Sequence, residues 1–296
     1  MYKNFEKLCN KMITKPKTIV VAAAHDSHTL EAVYNASEAY KFNYILVGDR
    51  EKIVSISSNL GFSPDIASIL DGADNADCAY KAVEQIRNGC GDVLMKGIIE
   101  TGTLLKAVLN KDTGIRSSGT LSHLAILEVP AYPKLIGITD GGMIPAPDLA
   151  KKADIVKNAA AFFNKIGYEC PKIAALCASE TVSEKIQETV DASKLQNMCR
   201  DGELGNCLLE GPISFDLAVS RESASIKGFS SEISGETDIF LIPNITTGNV
   251  LVKGLLYWAN AKMAGIVTGA KCPIVLSSRA ASSEEKQLSI MISLVG

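Results

Sequence analysis

Metal-ligating side chains are scarce in this chain: it has three histidines, His25, His28 and His123, and eight cysteines with no C-x-x-C pair among them. A Cys/His zinc cage therefore has no support in spacing. The cysteines read as buried thiols of a reducing cytoplasm, and an acyl-cysteine role for one of them has no neighbouring base in the sequence. No run approaches the ~20 apolar residues of a spanning helix. The stretch from Met1 to Lys17 mixes Lys3, Glu6, Lys7, Lys11, Lys15 and Lys17 with apolar residues, so no signal-peptide core is expected and the expected location is cytoplasmic. Excess positive charge is missing too. Thirty Lys+Arg against 33 Asp+Glu leave a net charge of −3, which argues against nucleic-acid and membrane partners and makes any phosphate site local. No strand-to-helix G-x-G-x-x-G, no P-loop and no G-x-S-x-G elbow occurs, and Gly89-Cys-Gly91 precedes a strand, the wrong context for a dinucleotide fingerprint. These absences weaken kinase, ATPase, hydrolase and simple dehydrogenase readings.

What is present is an alternation of short apolar runs and helix-period stretches over 296 residues, room for one large or two medium domains. Thr18–Ala24, Tyr44–Gly48 and Asp92–Met95 read as strands, with helices over His28–Lys41 and Asp74–Arg87 between them. Leu124–Val129 and Lys134–Ile138 continue as strands across the turn Pro130-Ala-Tyr-Pro133. A helix is expected over Ala146–Lys165, and another from Thr181, where Thr181-Val-Ser-Glu184 fits a capping box. Lys172–Cys177, Asp238–Ile242, Gly265–Gly269 and Pro273–Leu276 complete the strands, with helices from about Thr247 and over Ser282–Leu294. Such βα repeats predict an α/β fold with a parallel sheet covered on both faces.

Polar and glycine residues cluster after the strands, where open α/β sheets bind ligands. Lys96-Gly97, with a helix opening near Thr101, offers an ammonium, close backbone approach and free N–H groups to an anion; the alternative is a surface lysine beside a turn. Arg116, set among Gly, Ser and Thr up to Ser122 and His123, suits bidentate phosphate recognition or an ordinary polar loop, and His123 by itself reads as a structural histidine. Pro243-Asn244 through Gly248, Asn249 and Lys253 suits an anion or carbonyl oxygen, or is a capped connection. Finally Ser278 and Arg279 precede a helix carrying Glu284 and Glu285. Arg279 could neutralise a phosphate or an oxyanion and a glutamate could accept a proton, but Ser282-x-x-Glu285 is also a capping box.

Together, Asp92–Gly97, Val108–Arg116 with Ser122-His123, Ile138-Thr-Asp140, Leu209-Glu-Gly-Pro212, Asp238–Asn244 with Thr247-Gly-Asn249, and Ser278-Arg-Ala280 resemble the phosphate acetyl/butyryltransferase family, nearest its butyryl branch. The resemblance runs from about Lys17 to the C-terminus. It implies acyl transfer, butyryl by preference, between coenzyme A and inorganic phosphate, with coenzyme A as a substrate and no metal or redox cofactor. It further implies a two-lobed fold like isocitrate and isopropylmalate dehydrogenases with an interlobe cleft, the lobes being 1–127 with 269–296 and 128–268, in a homodimer or larger assembly. Within that resemblance Ser278, Arg279 and Glu284 or Glu285 are the expected catalytic residues. Lys96, Gly97, Thr101, Arg116, Ser122, Gly248, Asn249 and Lys253 are expected on phosphate and substrate, and Arg279, Lys253 and Lys271 on coenzyme A. The sequence departs from the butyryl pattern at Ala281, where relatives often carry Asp, and at Glu210, also usually Asp. Rival readings are a non-catalytic coenzyme A or acyl phosphate binding protein and a decarboxylating dehydrogenase on the same fold.

Overall fold

The computed structural model describes residues 2–12, 16–117, 119–276 and 281–295. Its strands are β1 (Thr18–Ala22), β2 (Asn43–Gly48), β3 (Ile69–Asp71), β4 (Val93–Lys96), β5 (Ser122–Glu128), β6 (Ile136–Thr139), β7 (Lys172–Leu176), β8 (Leu208–Ile213), β9 (Ile239–Leu241), β10 (Lys262–Thr268) and β11 (Ile274–Val275). Its helices are α1 (Phe5–Met12), α2 (Ser27–Tyr40), α3 (Arg50–Asn59), α4 (Asn75–Arg87), α5 (Thr101–Val108), α6 (Leu149–Lys165), α7 (Gln187–Arg200), α8 (Phe215–Val219), α9 (Arg221–Ile226), α10 (Ile245–Trp258) and α11 (Ser283–Val295). The chain divides into two compact units, Cys9–Ser118 with Ala264–Gly296, and Met1–Leu8 with Gly119–Met263. No helix among the described residues is long and apolar enough to cross a membrane.

In the unit that carries the C-terminus, the strands run in the order β3-β2-β1-β4-β11-β10. All neighbours are parallel except β10 and β11, which pair antiparallel through Val267 and Ile274. Ile19 and Val21 of β1, Leu46 of β2 and Met95 of β4 pack against Leu30, Val33 and Tyr34 of α2 and Ile290 and Leu294 of α11. Aspartates start the helices: Asp26, Asp49 and Asp74 each accept a hydrogen bond from a first-turn N–H of α2, α3 and α4. Each such cap is worth about 1 kcal/mol. The inward stripe of α3 consists of Ile53 and Ser57, and Ser57 is matched by the Tyr34 hydroxyl at 2.6 Å.

In the other unit the order is β5-β6-β9-β7-β8, and only β5 runs against its neighbour. Alternation along β6 sends successive residues to opposite faces. Ile138 joins Phe240, Ile213 and the inner side of α10, whereas Gly137 faces Phe163 of α6. Helices therefore cover both faces of this sheet. Two ion pairs are buried within it, Lys134–Asp238 and Lys152–Asp191, the latter at 2.7 Å.

Two expectations need correction here. The sheet is mixed, because β5 and β10 run antiparallel to β6 and β11. The helix expected from Thr181 begins only at Gln187, and Thr181–Glu184 does not cap it. The hydroxyl of Thr189, inside the first turn, instead accepts from the Ser183 N–H at 2.9 Å and donates to upstream carbonyls, fixing 183–186 as an entry turn. Elsewhere the shifts are small. α6 begins at Leu149 with Asp148 as its cap, and α10 begins at Ile245 with Asn244 as its cap.

Candidate active site

In the unit that carries the C-terminus, β1 and β4 run parallel and end side by side at Ala22 and Lys96. Past β1 the chain turns through Ala23, whose φ of 56° is left-handed. That turn aims two carbonyls at the end of β4, and the N–H groups of Gly97 and Ile98 donate to Ala22 and Ala23 at 2.8 and 2.9 Å. The approach is so close that a Cβ on Gly97 would collide with the backbone of Ala22 and Ala23. Only glycine fits there. The Lys96 ammonium donates to the carbonyls of Gly97 and Ile99 at 3.1 and 2.9 Å, bracing the turn from within.

Above this edge lies a cavity of about 420 Å³. Its walls include Lys96, Gly97, Glu100, Asp26, His28, Asn75 and Lys286. Each wall residue sits at an element end: Asp26 caps α2, Asn75 opens α4, Glu100 precedes α5, and Lys286 lies in the first turns of α11. Several helix N-termini thus converge on the cavity, which suits an anionic or strongly polar ligand. Asp26 uses one oxygen to cap α2, while its other oxygen is buried with no hydrogen-bond partner among the described residues. Thr101 is the exposed first residue of α5. Of the wall residues, the sequence singled out Lys96 and Gly97 but not Asp26, His28, Asn75, Glu100 or Lys286. All five are cap or first-turn residues, and their patterning is explained by the helix start alone.

Two expected cations of this unit lie on paired segments. Arg116 forms an antiparallel bridge with Ala270, and the N–H of the next residue, Lys271, donates to Ile115 at 2.8 Å. Arg116 and Lys271 are exposed on these facing segments. At the start of α11, Ser282 accepts the Glu285 N–H at 3.1 Å, so the capping half of the expected box forms. The Glu285 side chain is half-buried, and burial raises its carboxyl pKa above the ordinary value of 4.5, with Lys286 pulling the other way. Glu284 is exposed. Ser278 and Arg279 lie outside the described residues.

In the other unit, the antiparallel run of β5 brings its first residues to the edge where β6 and β9 end. Ser122 is buried, and its oxygen accepts from the Asn158 amide at 3.0 Å. Asp140, next after β6, is also buried, and its carboxylate accepts from the N–H groups of His123, Gly142 and Met143 at 3.2, 2.8 and 2.8 Å. Gly141 touches Gly248, where a Cβ on Gly248 would lie 2.5 Å from the Gly141 Cα. Asn244 accepts from the N–H and hydroxyl of Thr247 at 3.0 and 3.1 Å, and Asn249 and Lys253 stand exposed, one turn apart on α10. Glu210 is held by Gln196 and Ser231. Among the described residues no group of three or more His, Cys, Asp or Glu side chains gathers as a metal cage would require.

Comparison with known proteins places this architecture. A family model described as "Phosphate acetyl/butaryl transferase" matches residues 72–294. The phosphate butyryltransferase of Clostridium acetobutylicum is 40% identical over 293 residues, covering 99% of this chain and 97% of that one. The phosphate acetyltransferase of Thermotoga maritima is 37% identical over 290 residues, covering 98% of each. Among solved structures, a branched-chain phosphotransacylase from Enterococcus faecalis superposes with a TM-score of 0.83 at 32% identity, over 94% of this chain and 98% of that one. A 4-hydroxythreonine-4-phosphate dehydrogenase from Klebsiella pneumoniae, at 12% identity and a TM-score of 0.58 over 95% of this chain and all of that one, shares the fold alone. The chain belongs to the phosphate acetyl/butyryl transferase family.

Proposed function

We propose that the protein catalyses reversible transfer of a short-chain acyl group, butyryl by preference, between coenzyme A and inorganic phosphate. The observation that carries this reading is the 40% identity to a phosphate butyryltransferase along nearly the whole of both chains. In the direction of thioester formation, the coenzyme A thiol loses its proton to a carboxylate and its sulfur attacks the acyl phosphate carbonyl. The new C–S bond forms, the C–O bond to phosphate breaks, and inorganic phosphate leaves with the bonding pair. A free thiol with a pKa near ~8.5 is mostly protonated at neutral pH, so a base adjacent to it contributes about 10²–10⁴-fold. Glu285, desolvated at the start of α11, fits that task better than the exposed Glu284.

Arg279 and Ser278 are assigned to the charge that develops on the carbonyl oxygen. Lys96 and Gly97, in the cavity wall, and Thr101, the residue after Glu100 of that wall, are assigned to phosphate. Ser122 belongs to the same assignment through the strand end it supports. Gly248, Asn249 and Lys253 orient the acyl phosphate. Arg116 is assigned to phosphate, and Lys271, on the segment paired with it, to coenzyme A. The proposal includes a two-lobed architecture of the isocitrate dehydrogenase kind with the reaction in the interlobe cleft, operating in the cytoplasm without cofactor. It also includes self-association, which exposed Val250, Tyr257 and Trp258 on α10 support.

The test is a thiol-release assay with acyl-coenzyme A and phosphate, using chains of two to five carbons, with and without chelator. Release highest with butyryl and insensitive to chelator is expected. Arg279→Ala should lower turnover more than about tenfold while the fold survives. Tight coenzyme A binding without turnover would move the protein to the binding-protein reading. A requirement for metal and nicotinamide would move it to the dehydrogenase reading.

A further inference from the structure

The antiparallel strand β5 delivers a histidine to the substrate-binding edge of its sheet, and nothing in the reaction as described uses it. His123 stands opposite Asp140 in the β5–β6 register and lies against Gly142, where an added Cβ would come within 2.9 Å of the imidazole Cγ. Gly142 follows Gly141, and Gly141 touches Gly248 at the entry of α10. His123, the Asp140 turn and the Gly248–Asn249 segment therefore form one continuous patch within a single unit.

The two nitrogens of the ring are not equivalent. Nδ1 is buried and has no hydrogen-bond partner among the described residues, although the residue as a whole is only partly buried. Asp140 gives the ring no side-chain bond, because its carboxylate is taken up by three backbone N–H groups, His123's own among them. A buried N–H without an acceptor is costlier and rarer than an under-used acceptor lone pair. The proton of a neutral ring therefore belongs on Nε2, leaving the bare lone pair of Nδ1 inside. Burial lowers the imidazole pKa while Asp140 raises it, and burial is the larger influence. The ring is thus neutral near pH 7, a donor through one nitrogen and neither a base nor a cation.

We infer that His123 is a substrate-facing hydrogen-bond donor, presenting a fixed Nε2–H to an oxygen of the acyl phosphate, the carbonyl oxygen that becomes negative as the thiol attacks. The inference rests on the proposed acyl transfer. A fixed neutral donor aimed at developing charge strengthens its bond in the transition state without a proton having to move.

Variants that imitate one nitrogen at a time provide the test. The Gln side chain places its amide N–H near the position of Nε2, and the Asn side chain places its own near Nδ1. His123→Gln should keep kcat within about tenfold of the parent, whereas His123→Asn and His123→Ala should lose about 10²–10³-fold in kcat with a smaller change in KM. Nitrogen NMR of the ¹⁵N-histidine-labelled parent, with His123→Gln used to assign the signal, should show the Nε2–H tautomer at neutral pH. Adding butyryl phosphate should move the Nε2 signal more than the Nδ1 signal. His123→Ala turning over within about threefold of the parent, or a proton found on Nδ1, would overturn the inference. If His123→Ala failed to fold, the spectrum of the parent would decide alone. Were the parent to show no acyl transfer, the functional reading would fall, and the tautomer with its response to butyryl phosphate would still judge the donor.

Discussion

At the scale of single residues, burial decides what the ionisable groups can do. Cys177 and Cys207 are pushed up to about 12 by burial. Cys90 and Cys170 stand exposed. Alkylation of the native protein by iodoacetamide near neutral pH, read by peptide mass spectrometry, should label Cys90 and Cys170 well before Cys177 and Cys207, because the thiolate is the reacting form. Glu285 makes a prediction with a definite sign. Its folded pKa lies above 4.5, so the folded state holds its proton more tightly than the unfolded chain. Ionised Glu285 therefore costs stability above the raised pKa, and the cost disappears below 4.5, where both states are protonated. Glu285→Gln should be slightly more stable than the parent at neutral pH and equal to it at low pH, measured by denaturant titration. The same variant should lose about 10²–10⁴-fold in kcat, and the acidic limb of the parent's rate profile should lie above pH 4.5.

At the scale of elements, what the sequence disclosed depended on whether inward-facing residues were apolar. The helices α2 and α4 were legible because Leu30, Val33 and Ala36, or Ala79, Val83 and Ile86, recur at helical spacing. α3 was not, because its inner stripe contains Ser57, a polar residue satisfied by a tyrosine from another helix. The capping signal at Thr181 misled for a related reason: local chemistry that fits a helix start fits a turn equally well. α7 is tied to α6 by Lys152–Asp191, a buried pair, with Gln187 bonding the second oxygen at 2.8 Å. Removing one partner leaves the other charge buried alone, which typically costs 3–5 kcal/mol. Asp191→Ala should lose about that much in urea denaturation, while replacing both partners together with Leu or Met should lose much less.

At the scale of the whole molecule, the α/β class and the placing of polar and glycine clusters at strand ends were readable, because strand ends followed by glycine and helix starts recur along the chain. The clusters around Lys96 and Gly248 do lie at such ends. What stayed hidden is what depends on three-dimensional pairing. No sequence feature announces that β5 runs backwards, yet that reversal puts His123 beside Asp140 and turned a histidine read as structural into the proposed donor. Nor did spacing join the segment of Arg116 to that of Ala270 and Lys271, which are far apart along the chain and pair through one antiparallel bridge.

The contact between Gly141 and Gly248 has a mechanical consequence. Main chain already rests on main chain there, with no side chain left to compress. The start of α10 can thus come no nearer to the Asp140 turn. This pair of glycines acts as a fixed stop that sets the closest approach of the two segments.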